Sequence, residues 1–340
     1  EESEGILTQS ADLTLNGTLS LDDGILDSSS GTISLIGGMT QEDGLLNITH
    51  STLKLNDDLS KTGGTMVTSN TSIVVLESLT LTSNSSVSVT TIEWPGSDEW
   101  PGSDDTIKLT LVSTQGSEES DFTLSDNLSM EDTIAQLDTG DADLTVEGDV
   151  TLSAGKLESS GGTLTFSNGA VQSGSFEFDL GASILSLGDN YTKSGGDLES
   201  SSGTLKLSDN LTFSSDSDLN FDQLNLNNHA LTLGANTDLQ ITSSLTIDDA
   251  EEWVITGDSN LTLLGLLTVT GGGVTSTGGT ISLLGGGDLS GSGKLDLSDS
   301  TWVLGGVFKK SMDDSEESGT LTLSNTNLEL ASNGTLTSDE

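Results

Sequence analysis

The chain has 340 residues, with 54 acidic side chains against nine basic ones, for a formal net charge of −45. That charge excludes nucleic acid and anionic membrane surfaces as partners, because both are bound through Lys and Arg, and no stretch reaches the eighteen or so apolar residues of a membrane span. The absence of cysteine removes disulfides, thiolate nucleophiles and cysteine-ligated zinc.

The chain opens at Glu1 with neither Met nor an apolar leader, which reads as a processed or excised segment. Acidity with few aromatics is a signature of disorder. Here, though, 32% of the residues are hydrophobic and they are regularly spaced, which predicts a folded chain. From Leu7 onward, short apolar–x–apolar triplets alternate with Gly, Asn, Asp and Ser, the pattern of half-buried strands and tight turns. "LDSSSGTISL" (26–35) is the first clear example.

Three stretches interrupt this rhythm and are predicted as loop insertions, at about 91–106, 113–121 and 308–318. The first carries the tandem "WPGSDE" and "WPGSDD" with both prolines, residues that cannot donate to an internal ladder. Exposed aromatics on such a loop are costly unless covered, so Trp94 and Trp100 are candidate contact residues. Phe308, Lys309 and Lys310 in "FKKSMDDSEES" join them.

From Leu144 to Trp302 the apolar anchors recur about every seven residues, each starting a three- or four-residue strand. Leu157, Val171, Tyr191, Leu198, Val274 and Leu289 keep the first apolar residue of the triplet but lack the second. Trp253 and Trp302 fall inside triplets and are expected to pack between rungs. Strands this short bury nothing alone. Coiling the chain, three steps to a turn, lets each strand pair in parallel with its equivalent about 20–21 residues away. The predicted fold is therefore all-β, a single elongated parallel β-solenoid over residues 1–340. A repeated phrase agrees: "KLESSGGTLTFS" at 156–167 returns as "DLESSSGTLKLS" at 197–208, two coils later, with eight of twelve residues identical. Each copy is expected to fill the same corner and face of the stack. One count resists: eleven steps separate Leu205 from Ile281, which three does not divide.

Sites are sparser than surface chemistry. Adjacent acids such as Asp22–Asp23 and Asp248–Asp249 read as a solvated acidic face rather than a glycosidase pair, since chance pairs abound at this composition. His50 and His229 stand alone and read as turn or surface residues. "TGGGVTSTGG" (270–279) lacks the following helix and the Lys of a phosphate loop, so its glycines are assigned to corners. Asp141 with Asp143, and Asp216 with Asp218, have the i, i+2 spacing that can converge on calcium, although neither completes a twelve-residue EF-hand loop. Calcium is the cofactor these residues would take. Nine sequons, at Asn16, Asn47, Asn70, Asn84, Asn127, Asn190, Asn210, Asn260 and Asn333, mark surface turns if the source glycosylates.

"SGGTLTFSNGAV" (160–171), "SSGTLKLSDNLTF" (201–213) and "LTLGANTDLQI" (231–241) resemble bacterial extracellular β-solenoid surface proteins, the autotransporter-passenger and filamentous-haemagglutinin-like repeats. The resemblance implies an extracellular or cell-surface location and a stalk or adhesive role; it names no catalytic residue. The strand pattern begins by Leu7 and still runs at Leu336, which leaves a window from a longer array or end-to-end stacking of subunits as the two readings. The expected function is a non-enzymatic structural subunit of a surface filament, fibre or sheath whose chief partner is itself. A glycan- or receptor-binding adhesin is the alternative, and a polysaccharide-degrading enzyme the least favoured.

Overall fold

The computed structural model describes residues 5–69, 71–75, 79–83, 87–89, 91–93, 107–113, 122–200, 202–215, 218–311, 319–331 and 333–338. Every regular element among them is a short strand, and every strand pairing is parallel, so the chain is a β-solenoid. The residues divide into two compact units, Glu1–Ser183 and Ile184–Glu340.

In the first unit each strand pairs with the third strand on, so one coil has three faces. Leu13, Ile33, Leu53, Ile73 and Ile92 occupy one inward ladder, with successive offsets of 20, 20, 20 and 19 residues. Ile33 and Leu53 are fully buried. Thr32, Ser34, Thr52 and Lys54 alternate with them and point outward, as the two-residue period of a strand requires. Ile6–Gln9, Ile25–Ser28, Leu45–Thr49 and Thr65–Ser69 form a second face.

The second unit repeats the plan. Leu219, Leu239, Leu261, Ile281, Trp302 and Leu328 make one inward ladder. Tyr191 stacks on Phe213 with centroids 4.8 Å apart and planes 4° from parallel, so the rings sit at the spacing of the rungs that carry them. Trp302 meets Phe308 edge to face at 5.1 Å.

Where a strand turns a corner, the interior is lined with hydroxyls instead of hydrocarbon. Ser28 Oγ and Ser51 Oγ lie 3.0 Å apart, Ser159 and Ser183 2.7 Å, and Ser300 Oγ donates to Ser276 Oγ at 2.9 Å. These are among the second positions that the triplets at Leu157 and Val274 lack: Ser159 and Ser276 fill them, buried. The first of these corners shows why burial is tolerable. Ser28 Oγ also faces the Ser30 carbonyl, and Ser51 Oγ donates to the Thr49 carbonyl, so corner carbonyls that the ladder leaves free serve as partners.

Several expectations shift. Val171 is half exposed, and its neighbours Ala170 and Gln172 point inward, a one-residue slip that exchanges the faces. Trp253 is also misplaced: Val254 is the buried residue, while the Trp253 ring lies outside with Lys294 Nζ 6.0 Å from its centroid and its indole N–H on the Ala250 carbonyl. The insertion boundaries tighten too, since Thr91–Glu93, Ile107–Ser113 and Val307–Lys310 are strands. Within the second unit the eleven-step interval is real. Thr204–Leu207 pairs with Gln223–Asn225 on one face, and Thr280–Leu283 pairs with Asn260–Leu263 on another. The strand after the corner at Gly203 and the strand after the corner at Gly279 therefore lie on different faces of the second unit. Gly279, at φ +64°, is such a corner glycine: a Cβ there would lie 2.3 Å from the Ser259 carbonyl oxygen.

Candidate functional site

The residues singled out by sequence go to four different environments. Trp94, Trp100, Asp216, Asn70 and Asn84 lie outside the described residues. Phe308 is fully buried against Trp302 and is a core residue, not a loop contact, because Val307–Lys310 is a strand whose alternation turns Phe308 inward. Lys309 and Lys310 are half-buried on that same strand, and Lys309 is the register partner of Asp288.

Asp141 and Asp143 flank the buried Ala142 and project from one corner. Their oxygens are engaged by the next coil: Asp141 Oδ1 accepts from Ser160 Oγ at 3.0 Å, and Asp143 Oδ1 from the Thr163 amide at 2.6 Å. The two carboxylates thus serve as locks between coils. Asp218 is exposed on the second unit. Among the described residues no group of three or more Asp, Glu or His side chains is gathered as a metal cage.

The sequon asparagines prove to be structural. Asn127, Asn190, Asn210 and Asn260 each accept, through Oδ1, the backbone amide of Asp149, Thr212, Ala230 or Thr280 in the following coil, at 2.6–2.7 Å. Asn260 also donates through Nδ2 to Asp238 at 2.6 Å, and Asn47 donates to Asp27 at 2.8 Å. A glycan on Asn47 or Asn260 would replace one of those donated hydrogens. Asn16, Asn127, Asn190, Asn210 and Asn333 are exposed.

Two features escaped sequence reasoning. On the first unit, Lys108 bridges Asp138 (2.8 Å) and Glu158 (3.3 Å), while Lys156 bridges Glu158 (2.6 Å) and Glu177 (3.9 Å). The register runs Lys108, Gln136, Lys156 and Glu177 on successive rungs, with Asp138 beside Glu158. The hydrogen bond that Lys108 donates to Asp138 raises the Lys108 pKa, and the one that Lys156 donates to Glu158 raises the Lys156 pKa and lowers that of Glu158. The Lys156–Glu158 spacing was a signal, but the partners come from strand register, which composition does not reveal.

The second feature is a shallow polar trough on one face of the second unit, about 480 Å³ in volume. Asp218, Asp238, Asn260 and Thr280 form one outward rank and Asn220, Gln240, Thr262 and Ser282 the next, each rank advancing one side chain per rung. Carboxamide, hydroxyl and carboxylate groups repeated at about 4.8 Å can hydrogen-bond an extended polar ligand lying along the stack. No family model, curated protein or solved structure matches the chain, so function has to be argued from this geometry alone.

Proposed function

We propose that the protein is a non-enzymatic structural subunit of an extracellular surface filament, fibre or sheath that assembles by stacking solenoid coils of one copy on those of another. The repetition of the ladder carries this reading. Leu219, Leu239, Leu261 and Ile281 stack in parallel at one inward position, each a rung from the next. A strand edge with such an apolar rung is a template for a further strand, and a coil from a second copy has the matching ladder. The excess of carboxylates suits a protein that works in salt- or cation-rich surroundings, where charge is screened over about a nanometre. The resemblance to surface solenoids points the same way.

Negative-stain electron microscopy of the purified chain, with and without millimolar calcium and molar salt, tests the reading. Fibres lengthening with salt or calcium are expected; isolated particles in every condition would overturn it. The polar trough favours one second reading, an adhesin that binds a glycan through Asn220, Gln240 and Thr262. Loss of glycan-array signal in Gln240→Ala, with assembly intact, distinguishes it.

A further inference from the structure

Asparagine followed by glycine occurs three times in the chain, at Asn16-Gly17, Asn168-Gly169 and Asn333-Gly334. With no Cβ on the following residue, the peptide nitrogen can reach the asparagine carboxamide. All three asparagines are exposed, yet the glycine amides after them are held differently. The Gly169 N–H donates to the Phe166 carbonyl at 3.2 Å, and the Gly334 N–H to the Ala331 carbonyl at 2.9 Å. Each closes a β-turn. Among the described residues the Gly17 N–H donates to nothing, and the Asn16 carboxamide is equally free. Gly37, which holds the same place one coil on, also has an amide without a hydrogen bond, so the open N–H belongs to this corner. Gly17 lacks the backbone needs of the other two as well. Gly169 has φ +73°, and a Cβ on Gly334 would lie 2.3 Å from the Leu304 carbonyl oxygen. A Cβ on Gly17 would meet no described atom within 4 Å.

We infer that Asn16 is a self-modifying site, at which the Gly17 nitrogen displaces ammonia from the Asn16 side chain. The bond from the Gly17 nitrogen to Cγ forms, and the Cγ–Nδ2 bond breaks. The proton lost by the Gly17 nitrogen leaves with Nδ2 as ammonia, and a five-membered succinimide ring remains. Water then opens the ring, its hydroxyl adding to one carbonyl carbon and its hydrogen to the ring nitrogen. Attack at Cγ restores the main chain with aspartate in place of asparagine. Attack at the backbone carbonyl carbon leaves isoaspartate, with the main chain running through Cγ. Water is the only co-reactant. The fold selects the position, because an N–H already in a hydrogen bond must give that bond up before its nitrogen can attack. Gly169 and Gly334 are held in that way and Gly17 is not. Both products add one negative charge. Isoaspartate also lengthens the chain by a methylene just before Thr18 and Leu19, whose hydroxyl and amide reach the Gly37 and Gly38 carbonyls of the next coil at 2.9 and 3.1 Å. Asn16 is a sequon too, so a glycan and the ring closure compete for the same nitrogen.

Incubating the intact folded chain in mildly alkaline buffer, and following each site by peptide mass spectrometry, tests the inference, since every event adds one mass unit. Asn16 is expected to convert at least tenfold faster than Asn168 or Asn333. In concentrated urea the three rates are expected to converge, because the dipeptide is the same and the turns are gone. Equal rates in the folded chain would overturn the proposal. So would an order that persists in urea, which assigns the difference to neighbouring residues in the sequence. Gly17→Ala, which introduces no contact, is expected to slow the Asn16 site at least tenfold with circular dichroism and melting curves unchanged. An unchanged rate in that variant would mean direct hydrolysis of the side chain and would sink the ring mechanism. Electron-transfer fragmentation of the converted peptide is expected to show isoaspartate beside aspartate; aspartate alone would count equally against the ring.

Discussion

Two regions of the interior, one in each unit, solve the same packing problem with different chemistry. In the second, Trp302, Phe308, Tyr191 and Phe213 fill the rungs, all fully buried. In the first, one inward column reads Leu21, Gln41, Lys61, and the last two are 0% and 2% exposed. Gln41 satisfies its amide by donating to the Thr65 carbonyl at 2.9 Å, while its own side-chain oxygen has no hydrogen-bond partner. A solenoid thus accepts polar groups inside when they sit at strand ends, next to corner carbonyls. It accepts them at a cost that aromatic rungs avoid.

Three substitutions put that contrast to work. The largest effect is expected from Trp302→Ala, which empties a fully buried site and removes the Phe308 contact; denaturant melts should show about 3–5 kcal/mol of destabilisation in the second unit. A loss under 1 kcal/mol would mean that the aromatic rung can collapse around the hole, and the contrast would fail. Lys61→Met is expected to act on the pH dependence of the first unit, since an apolar chain of similar length replaces a desolvated ammonium. Burial lowers the Lys61 pKa. The unfolded chain therefore binds the proton more tightly, and stability should rise with pH between the lowered folded value and the ordinary 10.5. Melts of Lys61→Met across that window should lack the slope; a slope that persists assigns it to another group.

The smallest effect sharpens the surface side of the comparison. Glu158→Gln breaks the half-exposed lysine–carboxylate ladder and should cost under about 1 kcal/mol, less in molar salt. The Glu158 pKa is lowered by Lys156 and Lys108, so its contribution is present above the ordinary carboxylate range and disappears as pH falls through the lowered folded value. Lys108 and Lys156 have raised values, so theirs is present below 10.5 and lost as pH climbs past it. A salt-independent cost in Glu158→Gln would point to packing rather than charge.

Much of the fold was legible because the step of about seven residues repeats and the apolar residues alternate within each step. What misled was the single-residue ambiguity of short strands. Ala170-Val171-Gln172 offers one strong apolar side chain, and it points outward because Ala170 and Gln172 fill the interior. Trp253-Val254 is the same trap with a larger lure. Phe308 looked like loop because Lys309 and Lys310 follow it, yet a four-residue strand needs little more than its one inward side chain. The site was less legible still. Trough and ion ladder both arise from residues on successive coils brought into register, and the exact offset at each corner, 20 at Leu261–Ile281 but 23 at Leu231–Val254, sets which side chains meet.

The corner caps carry one consequence for how such a surface can change over generations. Asp12 and Asp143 accept the Thr32 and Thr163 amides with the same atom that Asn127, Asn190, Asn210 and Asn260 use. The bond asks for an oxygen on a two-carbon arm and is indifferent to what the other branch carries. Corners such as Asn190 and Asn210 can therefore exchange amide for acid without disturbing the coil above, whereas Asn260, whose Nδ2 also donates to Asp238, cannot. Surface charge becomes a dial that mutation can turn one corner at a time, letting the same scaffold be retuned for brine or fresh water while its interior stays as it is.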